Sequence, residues 1–588
     1  MAIMFQERAI DRHFATFICT QTDGECSAIF RLLLSLASAA VGNGNICLNL
    51  SDYADQTLSL DGNEIVLPDL DTLHKLLRSK STIGMPEEHR PLVLDMAGRL
   101  YLYRYWRYER DLAVTLLQKA STAAGTFDET ILQGSLSRLF PESTGEKSNR
   151  QKNAASIALH QQLCVISGGP GTGKTSTVVK IVALLLEHYG VLKHRVAMAT
   201  PTGKAAARLK ASLNAFKPAL DCSDEVKLAI PDDVVTIQRL LGTLSASSRF
   251  RHSARNPLPY DTVIVDEASM VALPLMIALA SALKPTARLI LLGDRNQLAS
   301  VEAGAVLGDI CSAGEGSHLS PLNSSMVMLE KNYRFQAGSG IAGISRAVNA
   351  GLDGEALALL KSSDQDGVFW QELPPREDLQ RVLVKKVIEG YQSYLKAASP
   401  SEALERFESF RILSALRDGP YGVSSLNSSV ETILARASLI KPESRGYQGR
   451  PLLVTVNDYS MRLFNGDTGI LFPDIESSGA LKAFFSAPDG GIRSIPPERL
   501  PIHETAYAMT VHKSQGSEFD RVLMLLPPVD TDILTRELIY TGLTRAKHSV
   551  EIWASEGVFC RAVRKKIERR SGLKDALVTP SLISTSPS

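Results

Sequence analysis

Net charge is the first thing this 588-residue chain lacks: 64 Lys and Arg stand against 63 Asp and Glu, leaving +1. So even a balance excludes the global basic field of a nucleic-acid coat protein, and any nucleic-acid site has to be a local groove. No apolar run reaches the ~18 residues that would suit a bilayer span. The N-terminus also has no basic stretch leading into an apolar core and cleavage site, so the expectation is a cytoplasmic protein with no membrane contact. Cysteine is sparse and unpatterned. Cys19, Cys26, Cys47, Cys164, Cys222, Cys311 and Cys560 are odd in number and lack C-x-x-C spacing, which argues for a reducing compartment and against a disulfide framework or zinc site. Cys19 and Cys26, the one close pair, read as a chance pair of thiols. With 44% hydrophobic and 22% charged residues the composition is that of ordinary globular protein. The length calls for roughly three to five domains at ~100–200 residues each.

What is present is organised around LCVISGGPGTGKTSTVVKIVALLL, an apolar run ending at Ser167, a glycine-rich loop and a helical pattern. Gly168, Gly169, Pro170, Gly171, Thr172, Gly173, Lys174 and Thr175 fit G-x-x-x-x-G-K-[ST]. Glycines let the backbone wrap an anion with its N–H groups inward, and the helix beginning near Gly173 adds the positive end of its dipole. Lys174 is expected on the β- and γ-phosphates and the Thr175 hydroxyl on Mg²⁺. Ser176 completes the nucleotide set, and Gln151 offers a side-chain amide to the adenine edge. Such a loop implies a nucleoside triphosphate, and leaves kinase, GTPase, transporter and nucleic-acid motor open.

Two further strands narrow the choice. TVIVDEASM ends a buried strand in Asp266, placed to hold Mg²⁺, and Glu267, placed to orient and deprotonate the attacking water. RLILLGDRNQLAS repeats the design and delivers Gln297, whose amide can sense the γ-phosphate. RVAMATPTGKAAARL puts Thr200, Pro201, Thr202 and Lys204 at another strand end, where they suit a second phosphate, plausibly of a polynucleotide, or simply a capped helix N-terminus. Residues 1 to about 140 carry no catalytic signature; their aromatic cluster Tyr101, Tyr103, Tyr105, Trp106 and Tyr108 reads as packing.

In order, GGPGTGKT, ATPTGKAAARL, VDEAS, GDRNQL, LEKNYRF, MTVHKSQGSEFD and ELIYTGLTRAK resemble the motifs of a superfamily 1 helicase. More narrowly, RNPLPYDTVIVDEASM, GDRNQLASVEAGAVLGDIC, ILSALRDGPYGVSSLN and FNGDTGI are similar to the RecD family, the alpha subunit of exodeoxyribonuclease V. The resemblance implies an α/β fold. Two RecA-like parallel-sheet motor domains would be accompanied by a mostly helical N-terminal docking domain and a small β-barrel-like insertion in the second motor. The expected boundaries are 1–145 for the N-terminal domain, 146–325 for the first motor, 326–445 with 501–572 for the second, 446–500 for the insertion and 573–588 for a disordered tail. PESTGEKSNR, 141 to 150, marks the first boundary.

By the same resemblance ATP lies between the motors, with Arg334 and Arg545 of the second acting as fingers on the γ-phosphate. Arg417 and Arg536 rank below them as surface or structural residues. DNA contacts are implied for Gln238, where the family pattern has His, and for Asn465, His512 and Ser514. The activity implied is an ATP-driven DNA helicase and translocase moving 5′ to 3′ on single-stranded and duplex-end DNA. A helicase-nuclease (beta) and a scaffold (gamma) subunit are implied as partners. No nuclease metal constellation is legible, so exonuclease activity would be a property of the assembly. A stand-alone helicase and a non-translocating ATP-gated clamp remain as alternatives.

Overall fold

The computed structural model describes residues 3–60, 63–125, 128–141, 149–244, 249–316, 320–334, 339–362, 366–442, 446–458, 460–487 and 491–579. Most of the expected boundary at 141–150, and residues 580–588 of the expected tail, lie outside them. The N-terminal region mixes helix and sheet where mostly helix was expected. Helices Ala9–Thr20, Ala28–Gly42 and Leu70–Arg78 are accompanied by a three-stranded and a four-stranded sheet. Their strands are two to four residues long, too short for an alternating pattern to register in sequence. Cys19 and Cys26, read as thiols, are joined by a disulfide across the turn between the first two helices, with Cα atoms 5.6 Å apart.

Helix α1, Tyr103–Ala120, leaves this region and packs onto the next through Leu112, Ala113, Leu116 and Ala120. Tyr103, Tyr105, Trp106 and Tyr108 lie half-buried against the same core, the packing role read from their spacing.

The first motor sheet has six parallel strands. In chain order they are β1 (Leu163–Gly168), β2 (Val196–Thr200), β3 (Val234–Thr236), β4 (Thr262–Val265), β5 (Arg288–Gly293) and β6 (Met326–Leu329). Their spatial order is β3-β2-β4-β5-β1-β6. β6 was expected to open the second motor but pairs in register with β1, from Met326 against Val165 to Leu329 against Gly168. The chain therefore leaves this sheet only after Leu329. Helix α2 (Lys174–Tyr189) buries Val178, Val179 and the run Ile181–Leu186. Its run from Ile181 to Leu186 is apolar on every side because the sheet covers one side and other helices the rest. Helices α3 (Gly203–Phe216), α4 (Leu273–Ser281) and α5 (Val306–Gly316) complete the layers.

The second motor sheet is again parallel. Its strands β7 (Val368–Glu372), β8 (Phe410–Ser414), β14 (Ala508–Thr510), β15 (Phe519–Leu525) and β16 (Ala546–Ala554) run in the order β7-β16-β15-β8-β14. Between β8 and β14 the chain makes an antiparallel sheet of β9 (Pro451–Val454), β10 (Thr468–Asp474), β11 (Ala480–Ser486), β12 (Ile492–Ile495) and β13 (His503–Thr505). Its pairing runs openly, β12-β11-β10-β9-β13, without the closure that a barrel requires. Its last strand also lies past the expected limit of residue 500.

Helix α6 (Arg536–Leu543) precedes β16. Residues 573–578, expected in a disordered tail, form helix α7 (Leu573–Val578), with Leu573 and Leu577 at 0% exposure in the first motor's core. Two leucines four residues apart are all the apolar stripe that one turn and a half can show, which is too little to read without its partner surface.

Candidate active site

Parallel strands put the loops after β1, β2, β4 and β5 on one edge of the first sheet. There a cavity of about 590 Å³ opens between the two motor sheets. Its first wall is the glycine loop. Gly171 and Gly173 take φ of +80° and +82°, a region open to glycine at no steric cost, and Gly173 starts α2. Lys174 Nζ donates to the carbonyls of Gly168 at 2.6 Å and Gly169 at 3.1 Å. It thereby lies back along the loop that a phosphate would fill. Thr172 is buried, with its hydroxyl donating to Gly169 O. Pro170, Thr175 and Ser176 line the cavity, and Gln151 Nε2 donates to Thr172 O at 3.3 Å.

The second wall is acidic. Asp266 follows β4, and Glu267 beside it adopts φ +54°, a conformation rare outside glycine and Asn, Asp or His, so the turn is strained in the way functional turns are. Burial, then the adjacent Glu267, push the Asp266 carboxyl up to about 6 against the pull of Lys174. Gln297 donates from Nε2 to Asp294 Oδ2 at 3.2 Å, while its Oε1 is buried without a hydrogen-bond partner. An amide acceptor left unpaired in a polar cavity is a place for a water or ligand hydroxyl.

Both arginines singled out by sequence line this cavity together with Lys174, but Arg334, expected in the second motor, comes from the first. Arg334 sits on the loop leaving β6 of the first motor. That loop is held against the glycine loop by Tyr333 N to Gly171 O at 2.7 Å and Asn332 Nδ2 to Pro170 O at 2.8 Å. Arg334 Nη2 donates to Glu518 Oε1 at 2.5 Å. Arg545 follows α6 in the second motor. It is 1% exposed and donates to Thr541 O, Ser517 O and Thr544 Oγ1. Arg417 pairs with Glu504 and Arg536 with backbone carbonyls of residues 349 and 564, as surface and structural residues do.

The proposed DNA set divides. The insertion's turn at Phe464–Asp467 lies on the loop after β2: a Cβ on Gly203 would meet Phe464 at 2.9 Å, and Lys204 Nζ reaches Thr468 Oγ1 at 3.4 Å. Pro201, Thr202, Lys204 and the exposed Asn465 are thus neighbours. Thr202 also caps α3 by accepting from Ala205 N, the capping role that was the alternative. Two members are corrected. Thr200 is 0% exposed, its hydroxyl spent on Thr202 O, and Ser514 is 0% exposed, its hydroxyl spent on Val511 O, so neither side chain is open to a DNA strand. Gln238 is half-buried at the start of the short helix after β3, and His512 is half-buried, with burial lowering its pKa.

Sequence reasoning missed the ties across the cleft. Tyr540 Oη donates to Asp294 Oδ2 at 2.9 Å, Leu298 N to Thr541 Oγ1 at 2.9 Å, and Gln515 Nε2 to Leu298 O at 2.9 Å. Glu518, within the quoted MTVHKSQGSEFD stretch, was given no role. Its partners Arg208 and Arg334 are 310 and 184 residues away in sequence, so no local signal marks it and both motors must be in place for it to be seen.

Three family models match: AAA domain over residues 151–303, UvrD-like helicase C-terminal domain over 505–552, and RecBCD enzyme subunit RecD, N-terminal domain over 7–101. The chain is 38% identical over 572 residues to a RecBCD enzyme subunit RecD of Mycobacterium tuberculosis, covering 96% of this chain and 94% of that one. It is 36% identical over 607 residues to that of Haemophilus influenzae, covering 92% of each. It is also 31% identical over 458 residues to an ATP-dependent RecD2 DNA helicase of Deinococcus radiodurans, covering 76% of this chain and 54% of that one. Among the described residues no helix is long and apolar enough to cross a membrane.

Proposed function

Because the chain belongs to the RecD family of superfamily 1 DNA helicases, we propose that the cavity between its two parallel sheets is where ATP is hydrolysed to move one DNA strand. The enzyme is an ATP-dependent DNA helicase of DNA repair and recombination. One observation carries the site assignment: Lys174, Asp266, Glu267, Gln297, Arg334 and Arg545 line a single cavity.

In this reading the loop N–H groups and Lys174 take the β- and γ-phosphates. Lys174 exchanges its two carbonyl partners for stronger, charge-assisted bonds. Gln151 stands beside the base, Glu267 orients the attacking water, and Gln297 offers its unpaired Oε1 to that water or to a protonated oxygen. Arg334 and Arg545 neutralise charge spreading over the transferred oxygens, worth about 10³-fold or more in turnover.

Thr175 and Asp266 fit Mg²⁺. Both supply hard oxygen donors, and an Asp266 carboxylate whose ionisation is opposed by burial and by the adjacent Glu267 lacks the positive charge that an ion brings. Among the described residues no group of three His, Cys, Asp or Glu gathers, so phosphate oxygens and water would complete the shell. When bound, the ion draws charge from the β- and γ-phosphate oxygens.

We further propose that the protein is the alpha subunit of an exodeoxyribonuclease V assembly, travelling 5′ to 3′ beside a helicase-nuclease and a scaffold subunit. Similarity to RecBCD subunits along 96% of the chain supports this. Residues 1–141 would serve docking, 149–334 the first motor and 339–572 the second with its insertion. Pro201, Thr202, Lys204, Gln238, Asn465 and His512 would lie along the strand. Strand displacement on 5′- and 3′-tailed duplexes by the purified protein and by its Lys174→Gln variant tests the reading. The wild type should open only the 5′-tailed duplex, and the variant should lose DNA-stimulated ATPase while keeping its fold. Unchanged turnover in Lys174→Gln rejects the site, and a native protein that copurifies alone with full activity rejects the assembly.

A further inference from the structure

Helix α3 turns one face into the nucleotide cavity, where Ala205, Arg208, Leu209 and Ser212 recur at three- and four-residue spacing. Arg208 is the charged member of that face. Its Nη2 donates to Glu518 Oε1, the same oxygen that accepts Arg334 Nη2 at 2.5 Å. Arg208 belongs to the first motor and Glu518 to the second, entering just before β15, so this pair bridges the cleft. No other hydrogen bond is made by Arg208 among the described residues. A guanidinium has five N–H donors in a planar fork, and that of Arg208 meets a single carboxylate oxygen.

Charge around Glu518 points the same way. Five cations, Lys174, Lys180, Arg208, Arg334 and Arg545, line a cavity whose acids are Asp266, Glu267 and Glu518. Burial works against ionisation of Glu518, yet Arg208 and Arg334 hold its carboxyl below the ordinary range. Arg545 feels the converse: burial, and then Arg208 and Arg334 as like charges, lower its pKa while Glu267 and Glu518 oppose them. Arg208, Arg334 and Arg545 thus repel one another. A terminal phosphate, with three oxygens and more charge than a carboxylate, is what they would prefer.

We propose that Arg208 is a binding residue for the terminal phosphate of the nucleoside triphosphate, and that Glu518 is the resident anion that holds Arg208 and Arg334 until that phosphate displaces it. The proposal rests on the nucleotide reading of the cavity. It adds to the first motor a phosphate contact on α3, the helix whose N-terminus carries the Thr202 and Lys204 loop. Exchange of Glu518 for phosphate breaks one bridge across the cleft at the moment Arg545 can form another.

Equilibrium binding of ADP and of ATPγS to the full chain tests this, in wild type and in Arg208→Ala, Arg208→Lys, Glu518→Gln and Lys174→Ala. Arg208 is partly exposed, its side chain at 38%, so its replacement is compatible with folding, and Arg208→Lys keeps the charge without the fork. Arg208→Ala should weaken ATPγS binding about tenfold or more while ADP binding stays within about twofold, the scale of a charged hydrogen bond lost to one ligand only. Arg208→Lys should recover part of that loss. Glu518→Gln, which removes the competing charge, should tighten ATPγS several-fold on the same scale. Equal loss for both nucleotides in Arg208→Ala, or no loss, overturns the role of Arg208; unchanged or weaker ATPγS binding in Glu518→Gln overturns that of Glu518. Full binding of both nucleotides by Lys174→Ala is a failure of the site reading itself and is distinguishable from either.

Discussion

Gly171 and Gly173 show why the phosphate loop tolerates so little change. A Cβ at Gly171 would meet Arg334 Cβ at 2.5 Å, and one at Gly173 would meet Gln151 Nε2 at 2.4 Å, both at positive φ. Gly173→Ala therefore combines backbone strain of about 1 kcal/mol or more with displacement of the glutamine beside the base. It should weaken ATP binding strongly while leaving the melting temperature within a few degrees, readable by nucleotide titration alongside a thermal melt. Gln297 is a second single-residue test. Its Oε1 is unpaired when no ligand is present, so Gln297→Leu should cost turnover and little stability. A drop in melting temperature as large as the drop in turnover would mean the amide is structural.

Among the elements, α7 and the segment before it form a strap from the second motor back to the N-terminal region. Ile46 N donates to Arg570 O, Arg570 pairs with Asp52, and Arg569 Nη1 donates to Asn43 O. Leu573 and Leu577 are fully buried, so Leu577→Ala should destabilise by about 2–5 kcal/mol, measured by denaturant unfolding.

The strap also carries a pH dependence. Burial pushes Glu109 of α1 up to about 7, although Ser571 and Gly572 N donate to it. Burial likewise pushes Asp309 of α5 up to about 7, with Ser571 and Lys574 opposing. An acid raised in the folded state is stabilising while protonated. Its cost of ionisation develops as pH climbs from the unfolded value near ~4 to the folded one and is complete above it. Stability should therefore fall between about pH 4 and pH 7 through these two groups, and Glu109→Gln should flatten that fall in melts taken across the range. An equal slope in the variant assigns the dependence elsewhere.

For the whole molecule, polar contacts that join the two motors include Tyr540 to Asp294, Leu298 to Thr541, Gln515 to Leu298, and the Arg208–Glu518–Arg334 cluster. Each is worth on the order of 1 kcal/mol net, and more where a charge is buried. Tyr540→Phe leaves the buried Asp294 carboxylate short of a donor. It should cost about 1–3 kcal/mol and lengthen the distance between fluorescent labels placed on the two motors before nucleotide is added. An unchanged distance would mean that the tie is incidental. The insertion sits on the first motor through Phe464 and Lys204 although it grows from the second, which gives opening and closing of the cleft a second point of purchase near the strand path.

Legibility followed the range of the interactions. The glycine loop, the acidic strand end at Asp266 and Glu267, and Gln297 are local: apolar runs of four to six residues meet polar turns, and parallel strands must then bring those turns to one edge. The seven motifs likewise carry the family and the motor pair, because a run of strand, loop and helix is written along the chain. What the tertiary structure alone decided depends on partners far apart in sequence. β6 joins the first sheet and takes Arg334 with it, Thr200 and Ser514 turn inward, short strands assemble the N-terminal sheets, and α7 folds into a core formed some 300 residues earlier. Glu518 acquires its meaning only when Arg208 and Arg334 arrive from the other motor, since a charge is assigned its work by what surrounds it and not by its neighbours in the chain.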